Sequence, residues 1–351
     1  MTALDASGRT NAPTARTTTT TTTTIGRAAV LTPWLAGLWV ITYTGTALLH
    51  LLRDTGAPWV PTPASVLGSS SSADVSALIV ALGTLEVAGL VLRPRSARVA
   101  GALLVATGLV VALLLADARA LTFLGYAPML LLGLAGIGPA SEVDGAVLLP
   151  ALAAVGHSFG GLALVLTGAG AIRASRARGS GWSPQTAARA CRSAVTVAVV
   201  VPAFYALTRL AWALGIPFGV RDEFLVELGD GKYAGLGLAL AALTGCLLTA
   251  GLVMRWGEVF WSWLPVLGGR AVPVAMAVVP SVLVGSVVFS AGLAFWRLVL
   301  VGEIDETPGA VADWAAWVPE LFWPLWGVAL VVAGLAYSAR RAGPGLPAGL
   351  G

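Results

Sequence analysis

Charged residues are scarce in this chain. Asp, Glu, Lys and Arg make up 11% of the 351 residues, whereas a soluble domain carries about 25%. Hydrophobic residues make up 57%, which is more apolar surface than a soluble fold can hide. The composition therefore excludes a soluble protein and predicts an all-α, polytopic bundle of transmembrane helices in contact with the lipid bilayer.

Residues that carry metal and redox chemistry are also rare. The two cysteines, Cys191 and Cys246, form no CxxC motif, and the chain has only two histidines, His50 and His157. We therefore predict neither a disulfide framework nor a metal site. Because Walker A, dinucleotide-binding and HExxH motifs are absent as well, we predict no cofactor. The net charge of +4 comes from arginines in short loops, so we predict no nucleic-acid partner.

Long apolar runs are what the sequence has instead. Each is about 20 residues long, the length of a helix that crosses ~30 Å of hydrocarbon. A weaker block at 121–138 is broken by four glycines and one proline. The predicted spanning helices lie at residues 28–52, 75–92, 99–116, 147–172, 193–215, 233–254, 272–297 and 316–338.

The placement of arginine indicates the topology. With eight crossings and a cytoplasmic N-terminus, inner segments hold fifteen basic residues and outer segments four. Nine crossings would turn an arginine-rich loop outward, against the positive-inside rule. We predict both termini in the cytoplasm, with 121–138 as a re-entrant or interfacial segment. The preference for Arg over Lys, with abundant Ala and Gly, indicates a GC-rich bacterium and hence a bacterial cytoplasmic membrane.

The two halves of the chain resemble each other. Residues 43–50 align with 205–212 at an offset of 162, and GLALVLTG at 161–168 matches GVALVVAG at 327–334 in five of eight positions. The shared order predicts an internal repeat of two parallel four-helix units. The predicted organisation is a disordered Thr-rich tail at 1–27, a first unit at 28–172, a basic linker at 173–192, a second unit at 193–340 and a short tail at 341–351.

Two stretches of the second half resemble a known group of proteins. YALTRLAWALGIP at 205–217 and RWGEVF at 255–260 are similar to uncharacterised multi-pass membrane proteins of GC-rich bacteria. The resemblance covers mainly residues 193–340. It implies a membrane protein without an established activity and implies no site residue.

Ionisable side chains within the predicted helices are candidate functional residues, because charges are costly in a bilayer. Arg209 lies about two turns from the outer end of its helix beside Tyr205, and Glu320 lies at a similar depth. The three residues predict either an interhelical ion pair or a site where Arg209 binds an anionic group. His157 and Glu86 are either proton carriers or buried, hydrogen-bonded groups.

Three further patterns have weaker functional readings. The sequence GHSFGG around Ser158 fits G-x-S-x-G, but a hydrolase nucleophile needs a strand–turn–helix context that a transmembrane helix lacks. Aromatic residues recur at helical spacing in 255–270, which predicts an amphipathic helix at the cytoplasmic interface or a docking site for a membrane-protein partner. Small residues at a spacing of four predict a close helix-packing face at Gly237, Ala241 and Gly245.

Three functional classes fit these features. The first is a small-molecule or ion transporter whose cavity opens outward between the two units, lined by Tyr205, Arg209, Glu320 and His157, with His157 or Glu86 relaying protons. The alternative is a non-catalytic membrane scaffold or an accessory subunit of a membrane complex. An enzyme that acts on lipid is the third, and an enzyme of any kind is less favoured than the first two classes.

Overall fold

The helices form a polytopic bundle. A computed structural model describes residues 31–342 except 56, 60–61, 63–64, 122, 124–132, 134–135, 137–144, 176–182 and 305–308. Eight helices among these residues are long and apolar enough to cross a membrane, which confirms the predicted fold class. In chain order the helices are α1 (Leu31–Arg53), α2 (Ser72–Leu92), α3 (Ala97–Leu115), α4 (Gly145–Ala174), α5 (Pro184–Ala213), the short α6 (Asp222–Leu228), α7 (Gly231–Ala250), α8 (Val274–Leu300) and α9 (Trp323–Ala342).

Helix α5 begins nine residues before the predicted span at 193–215. The Ser183 side chain accepts a hydrogen bond from the Thr186 backbone N–H, and Pro184 occupies the first helical position. Both features favour a helix start. Hydropathy misses this first part of α5 because the residues that follow the cap are polar, so the helix extends beyond the apolar run.

The block at 121–138 lies almost entirely outside the described residues, as do the tail at 1–27 and most of the tail at 341–351. Their predicted roles, and the predicted cytoplasmic position of both termini, remain predictions.

Two of the helix contacts in the first half have a counterpart in the second half, while the packing of α2 on α3 has no comparable one among the described residues. In the first half, α1–α4, helix α1 packs on α2 and α3 packs on α4; in the second half, α5–α9, helix α5 packs on α7 and α8 packs on α9. Helix α5 also packs on α9, and α1 meets α4 where the Tyr43 hydroxyl donates to the Ala153 carbonyl at 3.1 Å. The halves meet where α8 packs on α4 and on the end of α3, and there the Ser290 hydroxyl donates to the Ala116 carbonyl.

Two glycine crossings show this correspondence at the atomic level. A Cβ on Gly108 of α3 would lie 2.7 Å from the carbonyl oxygen of Gly161 on α4, and a Cβ on Gly285 of α8 would lie 2.8 Å from that of Gly327 on α9. Glycine thus allows both helix pairs to approach closely. The neighbouring residues correspond too: Leu164 and Val165 beside Gly108, and Leu330 and Val331 beside Gly285.

Residues 255–270 do not form the amphipathic helix that the aromatic spacing predicts. A single 3₁₀ turn at Arg255–Gly257 is followed by turns and by an isolated bridge between Val259 and Ala271. Pro265 removes a backbone donor, and Gly269 has a positive φ of 72°. Both features interrupt a helix, so the prediction is wrong for this loop.

The small-residue face of α7 does not pack on another described helix either. No atom of the described chain outside α7 lies within 4 Å of the Cβ position at Gly237 or Gly245. Helix α7 instead buries Ala239, Ala242 and Cys246, and the Cys246 thiol lies 3.5 Å from the Val199 carbonyl of α5. The predicted packing face is therefore wrong within this chain.

Candidate functional site

Arg209 lies between two aromatic rings near one end of α5. Its guanidinium carbon is 4.5 Å from the centre of the Tyr205 ring and 4.3 Å from that of Trp212. Its Nη2 forms a buried ion pair with Glu320, and its Nη1 donates to the Ala315 carbonyl at 2.8 Å. These contacts join α5 to the 3₁₀ turns that precede α9.

The donors of the Arg209 guanidinium are shared among acceptors of the protein itself. Besides Glu320 and Ala315, the Thr208 hydroxyl accepts from Nη1 at 3.1 Å. The side chains of Arg209 and Glu320 are only 9% and 4% exposed, so water does not screen the pair. Such an arrangement acts as an interhelical clamp, because removing one partner leaves the other charge buried and unpaired.

His157 lies in a separate aromatic cluster, within the first half. Its ring centre is 4.6 Å from that of Tyr43, 5.9 Å from Trp39 and 6.1 Å from Trp59. The side chain is 1% exposed, and neither ring nitrogen has a hydrogen-bond partner among the described residues. A buried imidazole without a partner is unusual and calls for a functional explanation.

Trp59 connects the two histidines of the chain. Its ring lies 5.9 Å from His50 on one side and 6.1 Å from His157 on the other. The indole Nε1 donates to the Ser76 hydroxyl at 3.1 Å, and His50 hydrogen bonds with the Thr55 hydroxyl at 2.8 Å. One imidazole therefore lies at the end of α1 and one in the interior, and both contact the same indole ring.

A small cavity adjoins this cluster. Its volume is about 10 Å³, which is room for roughly one water molecule. Polar groups of Ser65 and of the Asp117–Arg119 ion pair line it together with Trp59. Polar groups that can bind water therefore lie beside Trp59, near the end of α3.

Glu86 of α2 is fully buried in the same half. Thr107 lies within hydrogen-bonding reach of its carboxylate, but the single hydroxyl hydrogen of Thr107 is donated to the Leu103 carbonyl at 3.0 Å. Neither carboxylate oxygen has a hydrogen-bond partner in the described part of the chain. One helical turn away, Gly83 lies against the Thr44 hydroxyl of α1, whose oxygen is also buried and unpartnered there.

We call Glu86, Thr44, Trp39 and His157 the polar column. Each has at least one buried polar atom without a partner among the described residues, the Trp39 Nε1 included. Trp39 lies against Gly160 of α4 and beside His157, and the four residues come from α1, α2 and α4.

Two π-helical turns distinguish the helices around the polar column. Val40–Thr44 in α1 contains Tyr43, which contacts His157, and Val111–Leu115 at the end of α3 contributes to the lining of the small cavity. The corresponding part of α5 is assigned as α-helix throughout. Since π-turns occur frequently at functional sites, both turns favour a functional site in the first half.

The structure divides the five candidate residues between two clusters. Tyr205, Arg209 and Glu320 come together in the second half, whereas the contacts of His157 and Glu86 lie in the first half. Ser158 is buried within α4 and donates to the Ala154 carbonyl at 3.2 Å.

Sequence reasoning missed the aromatic residues around His157. Trp59 precedes α2 at a membrane boundary, where tryptophan is common, so its position gave no specific signal. Tyr43 did carry one, because it aligns with Tyr205 in the repeat. Of the described residues, no three or more His, Cys, Asp or Glu lie close enough to hold a metal ion.

Comparison of the chain with protein-family models, curated proteins and solved structures finds no match. The resemblance of residues 193–340 to membrane proteins of GC-rich bacteria remains a prediction. The eight apolar helices identify an integral, multi-pass membrane protein, and any more specific function rests on the geometry of the two clusters.

Proposed function

We propose that this protein is an ion transporter and that the ion is the proton. The observation that carries the proposal is the pair of buried, unpartnered titratable side chains, His157 and Glu86, in one four-helix half. Ionisable residues inside a membrane commonly mark proton relays. A group that takes up and releases protons needs unoccupied hydrogen-bonding capacity, which both side chains have within the described chain.

The proposed route has two parts. The outer part leads from the cavity beside Asp117 past Trp59 to His157, and the inner part leads from His157 past Trp39 to Glu86. Water molecules that hydrogen bond to the unpartnered atoms of the polar column would complete the route. An isolated charge there is expensive, so a proton would pass by exchange at each neutral group.

The predicted internal repeat suggests different roles for the two halves. At the repeat offsets, His157 of α4 corresponds to Trp323 of α9, and Glu86 of α2 corresponds to Leu248 of α7. We therefore propose that the two halves descend from one four-helix unit. The first half carries exchangeable groups, and the second half carries the Arg209 clamp instead.

The test is proton flux into vesicles that contain the purified protein. A valinomycin-induced potassium potential drives protons inward, and a trapped pH-sensitive dye reports their arrival. Wild type should exceed protein-free vesicles, and His157→Phe should reduce the flux about tenfold or more because the ring loses both nitrogens. Trp323→Phe, the corresponding change in the second half, should preserve it. A wild type as tight as protein-free vesicles would refute the proposal.

A membrane scaffold is the second candidate, and the loop at 255–270 favours it. Trp261 and Trp263 stack with ring centres 5.6 Å apart, while Trp263 is 72% and Val266 82% exposed. Exposed aromatic and apolar residues suit a protein partner or the membrane interface. If this loop docks a partner, a protein recovered in stoichiometric amount with wild type in mild detergent should be lost with Trp263→Ser. Purification of wild type without a partner would contradict the scaffold.

A further inference from the structure

An exposed, mostly apolar groove lies between the beginning of α1 and the end of α2. Its volume is about 830 Å³, within the range of sites that bind small ligands. Trp34, Gly37 and Ile41 of α1 form one side, and Leu90 and Arg93 at the end of α2 form the other. The groove therefore combines an apolar floor with one cationic end.

Glycine opens the floor of this groove. No neighbouring atom of the described chain lies within 4 Å of the Cβ position at Gly37. The lining residues of α1 extend from Pro33 to Ile41, about 12 Å along a helix that rises 1.5 Å per residue. A depression of this length fits part of an extended acyl chain.

Arg93 provides charge complementarity at the end of the groove. It is half-buried, and its side chain has no ion pair and no hydrogen bond among the described residues. Arg95 lies in the turn that follows α2, and Arg98 lies at the start of α3. A lipid phosphate accepts paired hydrogen bonds from a guanidinium, and clustered arginines at a helix end attract anionic lipids.

We propose that this groove binds an anionic phospholipid, with an acyl chain along α1 and the headgroup phosphate on Arg93. The apolar length favours a lipid over free phosphate, which would leave that surface empty. Arg93 in turn favours an anionic lipid over a zwitterionic one, because a choline headgroup opposes the arginine charge. The site is separate from the polar column and does not depend on proton transport.

The experiment measures lipid retention by the full-length protein in detergent, using native mass spectrometry with phosphatidylglycerol or phosphatidylcholine of identical acyl chains. Wild type should retain phosphatidylglycerol preferentially. Arg93→Gln should weaken its binding about fivefold, as expected for one arginine near the headgroup. It should weaken phosphatidylcholine binding much less, because the choline charge already offsets part of the attraction between Arg93 and the phosphate. Gly37→Leu should weaken the binding of both lipids because the leucine side chain would fill the groove.

Gly45→Leu is the matched control. Gly45 is also on α1 and also has no neighbouring atom of the described chain within 4 Å of its Cβ position, but it does not line the groove. Equal retention by wild type, Gly37→Leu and Arg93→Gln would overturn the proposal. Binding that emerges only after deletion of residues 1–27 would also overturn it, since the chain's own N-terminal segment would then be the occupant.

Discussion

The ion pair of Arg209 and Glu320 allows a quantitative prediction about the second half. At the offsets of the predicted repeat these residues align with Ala47 and Ala154, both of which are buried in the first half. Changing both members of the pair to alanine therefore introduces the residue types that the first half has at the offset positions. Changing only one member creates a situation found in neither half.

Glu320→Ala leaves the Arg209 charge buried, which should cost about 3 kcal/mol of unfolding free energy. Arg209→Ala should cost about 4 kcal/mol, because it leaves the Glu320 carboxylate unpaired and also removes the contacts with two aromatic rings. The double variant has no unpaired charge, so we expect a loss of about 4 kcal/mol rather than about 7. The resulting coupling is about 3 kcal/mol.

A double-mutant cycle measures this coupling, with unfolding in mixed detergent–SDS micelles followed by tryptophan fluorescence. The control cycle uses Arg221 and Asp313, an ion pair outside the spanning helices in which the Arg221 side chain is 36% exposed. Solvent screens that pair, so its coupling should be clearly smaller. Additive losses at Arg209 and Glu320, within about 0.5 kcal/mol, would refute the description of a buried clamp.

Three further predictions concern packing, pH and topology. Gly108→Val should destabilise the bundle by about 1–3 kcal/mol in the same SDS assay, because its Cβ would lie 2.7 Å from the Gly161 carbonyl oxygen; unchanged stability would contradict the glycine crossing. The hydrogen bond from Arg221 lowers the pKa of the Asp313 carboxyl below its usual 3.8 in the folded protein. The pair therefore stabilises the fold at pH values above the pKa that Asp313 has in the unfolded chain, and this stabilisation is lost as the pH falls through its pKa in the folded protein. Asp313→Asn should therefore reduce the acid sensitivity of unfolding, and an unchanged pH dependence would count against that pair. Finally, Glu142→Cys should react with an impermeant thiol reagent on intact cells if 121–138 does not cross; reaction only after permeabilisation would restore a ninth crossing.

The spanning helices were predictable because hydrocarbon thickness imposes a length and an apolar composition that can be read without tertiary information. The eight predicted spans match the eight observed ones to within a few residues at most ends. The exception at Pro184 has a local signal, the Ser183 cap, which hydropathy does not measure. Helix ends that are set by capping residues can thus be predicted from the sequence, but from the cap residues and not from hydropathy.

The arrangement around His157 was not predictable from one sequence. The π-turn that contains Tyr43 depends on backbone hydrogen bonds that residue composition does not reveal. Trp59 lies between α1 and α2 in the sequence, and only tertiary packing brings its ring to His157. The sequence therefore identified His157 as a candidate but not its surroundings.

The Arg209 clamp was partly predictable. Similar depths of Arg209 and Glu320 suggested a pair, since opposite charges in a bilayer are expected to meet. The hydrogen bond from Arg209 to the Ala315 carbonyl was not predictable, because it depends on the 3₁₀ turns before α9. Pro319 lies at the start of the second turn, but the position of the Ala315 carbonyl beside Arg209 depends on how these turns pack on α5.

Proton flux through the Glu86→Gln variant tests most directly the central claim that protons pass along the polar column. Glutamine keeps the size and polarity of a fully buried side chain but cannot exchange a proton. In vesicles containing equal amounts of folded protein, we expect wild type to conduct protons and Glu86→Gln to fall about tenfold or more. A Glu86→Gln variant that conducts as fast as wild type would contradict a proton route through the polar column.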